Sequence, residues 1–156
     1  MCLTNPTTRR PKTADKDIVC YKFLRVDVDL SSHIPAIYAP FRGQYRYICG
    51  ALNKLLPNTL RVCSEFNDVD EGFHSFKGWE RALSLAEERN QRLARSGWAR
   101  QYFVFVCIIP KGAKYFLGEF GNAVSYASDA LIVLDRKDPR SLKYITNLSP
   151  NSPVKM

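Results

Sequence analysis

The chain contains no Cys-x-x-Cys pair, no glycine-rich phosphate loop and no Gly-x-Ser-x-Gly elbow, and its only histidines are His33 and His74. A structural zinc site would have to gather its ligands from across the fold, and no metal is expected. No motif asks for a cofactor. No apolar run approaches the ~18 to 20 residues of a membrane span. Met1 to Asp17 is too polar for a signal peptide. These absences lead to the expectation of a soluble cytoplasmic protein. The five cysteines, Cys2, Cys20, Cys49, Cys63 and Cys107, are odd in number, widely spaced and mostly set among apolar neighbours. That is the usage of reduced core thiols, not of a disulfide framework.

What is present is ordinary globular composition, 46% apolar and 24% charged in 156 residues, which suits one domain with a core of its own. Lys and Arg outnumber Asp and Glu, 23 to 15, for a net charge of +8. A positive surface attracts polyanions in general without naming one. The basic residues are scattered, and Tyr45-Arg46-Tyr47 is the only compact interleaving of aromatic and basic side chains. The same alternation is what a half-exposed strand produces, so nonspecific nucleic-acid binding stands as a secondary alternative.

Residues 1–16 hold two prolines and no hydrophobic period, and read as a flexible N-terminal arm that carries no core. Ile18 to Val26 reads as the first strand, with Val19, Tyr21 and Phe23 on one face and Cys20, Lys22 and Leu24 on the other. Gln44 to Gly50 and Leu60 to Cys63 are shorter strand candidates. From Gly78 to Ser96, Trp79, Ala82, Leu83, Ala86 and Leu93 recur at helical spacing, with Gly97 placed to terminate the helix. Gln101 to Ile109 is a buried strand, Pro110 to Ala113 a turn and Lys114 to Leu117 a return strand. Gly118 to Asp129 reads as a glycine-punctuated loop, Ala130 to Leu134 as the last strand and 147–156 as an irregular tail. The expected architecture is a single α+β domain over 17–146: a twisted, mainly antiparallel sheet of about five or six strands with the 78–96 helix packed on one face. A split β-sandwich is the second candidate.

The block order CYK, FRG, GFHSF, CIIPKGAKYF and YASDALIVL over residues 17 to 135 resembles a family of small uncharacterised proteins from bacteriophages and gut bacteria. That resemblance implies a phage or mobile-element origin and no particular chemistry. A more remote resemblance is to ADP-ribosyltransferases, where a basic or His residue on one strand, a Ser-Thr-Ser-like strand and a catalytic Glu before a later strand follow in that order. Lys22, the segment with His74 and Ser75, and Asp129 fall in this sequence. Here Lys replaces Arg or His, His-Ser replaces the triple motif and Asp replaces Glu. The resemblance implies NAD as cosubstrate, with Lys22 on phosphate and Asp129 facing a developing cation; Lys22, Ser75 and Asp129 are its catalytic candidates. Ordinary roles compete for the same residues: Ser75 as a helix cap, His74 as a satisfied core side chain, Asp129 closing a turn.

The function expected from these observations is a non-enzymatic binding module for a small anionic or nucleotide-like ligand, or for a host protein. Its cleft would be lined by Tyr21, Lys22, Arg42, His74, Ser75, Tyr126 and Asp129. An NAD-using transferase is the enzymatic alternative.

Overall fold

The computed structural model describes residues 2–28, 35–38, 46–63, 65–94 and 100–141. The N-terminal segment supplies β1 (Leu3–Thr4) and β2 (Lys12–Thr13), followed by the long β3 (Ile18–Val28). Then come β4 (Pro35–Tyr38), β5 (Arg46–Tyr47), β6 (Leu52–Lys54), β7 (Asp68–Val69) and β8 (Phe73–Phe76). The helix α1 (Trp79–Ala94) precedes β9 (Arg100–Ile109), β10 (Lys114–Phe120), β11 (Ala123–Ser128) and β12 (Ala130–Val133). The result is mostly antiparallel sheet with one main helix. The described residues hold twelve strands rather than five or six, because short pieces at the sheet margins add to the long central ones.

β3 and β9 form the spine, paired in register from Ile18↔Ile109 to Asp27↔Arg100. β-Branched and aromatic residues on both faces suit a strand pair that is covered on both sides. On its other edge β3 pairs first with β8 and then, from Arg25 onward, with β4. β4 pairs β5, the chain runs on from β5 to a parallel bridge between Cys49 and Val133, and β12 returns to β9. The chain after β5 is thereby joined to β12 through the single bridge at Cys49, while the strand order itself runs open from β6 to β7. Leu24, Ile37, Tyr47, Phe103, Phe105, Cys107, Leu131 and Val133 pack together on one face of the sheet.

The opposite face takes the helix. Ala82, Leu83, Leu85 and Ala86 are buried against Phe23, Phe76, Val104 and Val106. Asn90 clamps α1 to β9 by accepting from Tyr102 N at 2.7 Å and donating to Tyr102 O at 2.8 Å. The helix spans Trp79–Ala94; the proposed stop at Gly97 lies outside the described residues. Ser75 does not cap it, being a member of β8.

The remaining strands run outward from β8 in the order β11, β10, β1, β7. Two expectations are corrected here. The segment 118–129 is not a loop: β10 and β11 pair continuously from Tyr115↔Ser128 to Phe120↔Ala123. The turn is Gly121-Asn122, both at positive φ (53° and 68°), the geometry of a tight hairpin compatible with strand twist. Nor is 1–16 without core. Leu3 is fully buried with Val69, Phe116 and Ala127, and Ala14 is buried too. Thr7 N donates to Leu117 O and Ala14 N to Ala113 O, both at 2.8 Å, lacing the segment along β10. Gly118 makes room for it, since a methyl group there would lie 2.6 Å from Thr4 O and 2.8 Å from Leu3 Cγ.

Of the shorter candidates, Gln44 to Gly50 contributes β5, with Gln44 and Tyr45 outside the described residues, and Leu60 to Cys63 contributes only an isolated bridge, Cys63 to Asp68. The tail 147–156 lies outside the described residues. No described helix is long and apolar enough to cross a membrane.

Candidate functional site

β3, β8 and β11 are indeed neighbours, but strand alternation divides the side chains proposed to share one pocket. Tyr21 pairs with Phe76, and Ser75 with Tyr126. One step along β3 sets Lys22 level with Ser75, so Phe105, Lys22, Ser75 and Tyr126 form a row on the face away from the helix. Tyr21 is half-buried on the helix side, and His74, on the face opposite Ser75, reaches Val69 O beside the cluster of Leu3, Val69, Phe116 and Ala127. Arg42 lies outside the described residues.

Lys22 is 5% exposed. Its ammonium donates to the His74 carbonyl oxygen and sits 5.6 Å from the centre of the Tyr47 ring. No carboxylate among the described residues pairs with it, and burial brings its pKa down to about 8. The sulfurs nearby do not supply the missing charge. Burial pushes Cys20 up to about 12 and Cys107 well above the ordinary thiol range, so both are neutral. The Ser75 hydroxyl lies beside Cys20, where it would donate to a thiolate, yet it makes no hydrogen bond with the neutral thiol. Tyr126 is buried with its ring edge-on to Tyr115 at 5.9 Å, and its hydroxyl is shifted upward, foremost by burial.

His74 is a satisfied core side chain, with Nε2 3.0 Å from Val69 O. Burial, the largest influence, lowers its pKa to about 4. It is neutral at physiological pH and donates to that carbonyl, which removes it from acid–base work near neutrality.

Asp129 stands apart, at the corner where β11 passes into β12. Its Oδ1 accepts from Lys114 N at 2.9 Å, its N–H donates to Lys114 O at 3.0 Å and its carbonyl accepts from Leu55 N at 2.8 Å. The side chain closes the corner, and it also lines an open cleft of about 430 Å³ with Pro11, Lys54, Leu55, Leu60 and Lys114. That volume falls within the range of small-ligand pockets. Its walls mix Leu55, Leu56 and Leu60 with Asn58 and Thr59, and Lys54 and Lys114 provide positive charge beside the Asp129 carboxylate. A second concavity of about 480 Å³, lined by Arg61, Val62, Cys63, Asp70 and Glu71, carries carboxylates instead.

Of the residues expected at a site, then, Lys22, Ser75 and Tyr126 come together in the closed interior, Tyr21 and His74 lie across the sheet, and only Asp129 reaches a cleft. Lys54 and Lys114, the cleft's cations, were not among the sequence candidates. The alternation Leu52-Asn53-Lys54-Leu55-Leu56, in which apolar residues flank Lys54 on the outward positions of an extended segment, points to Lys54, and no local signal marks Lys114. Tyr47 is buried and Arg46 exposed, so Tyr45-Arg46-Tyr47 offers no stacking platform through Tyr47. Among the described residues no group of three or more His, Cys, Asp or Glu is placed to hold a metal ion.

Comparison with known protein families, curated proteins and solved structures finds no match.

Proposed function

We propose that this chain is a binding module that takes an anionic ligand into the cleft beside Asp129. One observation carries the reading: Lys54 and Lys114, from strands distant in sequence, line the same open concavity, where two ammonium groups outnumber the single carboxylate of Asp129. An ammonium group is a compact point charge that suits phosphate or carboxylate oxygens. The net charge of +8 steers anions towards the molecule. Asp129 braces the corner through its bond to Lys114 N and so positions the Lys114 backbone.

The transferase alternative requires Lys22, Ser75 and Asp129 to reach one dinucleotide. Lys22 and Ser75 face the closed interior, and Asp129 faces the cleft. Incubation with NAD is expected to release no nicotinamide; release lost in Asp129→Ala would restore the enzymatic reading.

Inorganic pyrophosphate is the simplest probe of the binding reading. Calorimetric titration at low salt is expected to show saturable binding that falls by roughly tenfold or more in the double variant Lys54→Ala/Lys114→Ala, equivalent to ~1.4 kcal/mol. Equal binding by the double variant would place the anion elsewhere and end the proposal.

A further inference from the structure

The cleft is continuous with the end strand of the sheet, and the phase of that strand is defined. β6 pairs β12 through Ala130↔Lys54, Leu131↔Asn53 and Ile132↔Leu52. Leu55 N donates to Asp129 O, so Lys54 and Ala130 form a non-hydrogen-bonded pair. It follows that Asn53 directs its main-chain N–H and C=O at β12, whereas those of Leu52 and Lys54 point away from the sheet. No described strand lies there, since β6 ends the strand order. The edge is short, three residues with Lys54 on it, and its outward side chains are otherwise apolar: Leu52 is 56% and Leu56 80% exposed, with Ile48 exposed beside them.

The edge is also braced. The buried Asn53 side chain accepts from Ile48 N at 3.2 Å and donates to the carbonyls of Ile48, Ala51 and Leu131 at 3.2 to 3.3 Å. Gly50, at φ 75°, turns the chain within this brace. The strand is thus held in the extended geometry that a further strand requires.

We infer that β6 receives an extended segment of a partner protein as an added strand, with carboxylate side chains of that segment meeting Lys54 and Lys114 and its apolar side chains covering Leu52 and Leu56. The inference rests on the cleft being an anion site and names the bearer of the anion as a polypeptide. Main-chain hydrogen bonds at Leu52 and Lys54 provide the affinity common to all strand additions, and the two lysines select an acidic sequence over a basic one.

The test uses a fluorescein-labelled octapeptide Val-Thr-Glu-Thr-Val-Thr-Glu-Thr, one face of which alternates valine and glutamate to match Leu52, Lys54 and Leu56, the same peptide N-methylated at alternate residues, and inorganic pyrophosphate. Polarisation is expected to show binding of the first peptide and a loss of roughly tenfold or more on N-methylation, which removes the donors of one edge while keeping every charge. Leu52→Pro removes an outward N–H and keeps both lysines, so it is expected to lose the peptide and retain pyrophosphate. Equal binding of the two peptides would mean that charge alone acts and overturns strand addition. Pyrophosphate binding without peptide binding overturns it and leaves the anion site standing; binding of neither ends both. A dimer in light scattering that Leu52→Pro dissolves would assign the edge to a second copy of this chain and likewise overturn the inference.

Discussion

Lys22 and His74 show how one strand step changes what a residue can do. Lys22 on β3 and His74 on β8 are both buried, yet Lys22 enters the face away from the helix and His74 the opposite face, against Val69. Their shifts predict a distinctive pH dependence. His74 has a folded pKa of about 4 against an ordinary value near 6.5, so between those values the unfolded chain binds the additional proton. Stability contributed by neutral His74 is therefore complete above about pH 6.5 and is lost as the pH falls towards 4, by an amount on the order of 3 kcal/mol. Lys22, lowered to about 8 from 10.5, obeys the same sign: the unfolded chain binds more protons between 8 and 10.5, so stability rises with pH across that window. Cys20 and Cys107, which burial keeps protonated in the folded chain, act with the opposite sign above about pH 9, so the contribution of Lys22 is read as a difference: in urea unfolding from pH 7 to 10 the wild type is expected to gain stability relative to Lys22→Met. A slope unchanged by the substitution would mean that Lys22 is not desolvated as described. The face alternation of Lys22 was legible in the sequence. That its ammonium would bond a carbonyl of the adjacent strand was not, because that contact joins positions 52 residues apart.

Among the elements, the long strands and the helix were legible and the short margins were not. The β9–β10 turn at Pro110 to Ala113 and the helical spacing of Trp79 to Leu93 express local preferences strong enough to survive in the fold. The β10–β11 hairpin was obscured by Gly118, which breaks a strand pattern; its reason is the close passage of Thr4 and Leu3, invisible locally. The same contact makes the N-terminal segment part of the fold. Leu3→Ala is expected to destabilise by ~2 to 5 kcal/mol as a fully buried truncation. Gly118→Ala is expected to cost ~1 to 3 kcal/mol through overpacking and to speed proteolysis before residue 14. Wild-type stability in both variants would contradict the placement of β1. Asn90→Ala, by leaving Tyr102 N and O unpaired between α1 and β9, is expected to lower stability by ~1 to 3 kcal/mol in thermal or urea unfolding.

At the scale of the whole molecule, Lys22 and Ser75 are buried on one face of the sheet, and the accessible cleft lies at the sheet's end. The cleft there joins Pro11, the stretch 54–60, Lys114 and Asp129, segments brought together only by tertiary structure, so no local motif announced it. Asp129 was legible as a turn-closing residue; its partner Lys114 was visible only as part of a return strand. The net charge of +8 contributes long-range attraction that salt screens over ~8 Å at physiological ionic strength, whereas direct contacts within the cleft are screened less. The most direct measurement is an amide chemical-shift map recorded during pyrophosphate titration at low and physiological salt. Shifts confined to residues 54–60, 114 and 129 and persisting at physiological salt are the predicted result; shifts spread over the basic surface and vanishing with salt would contradict the account.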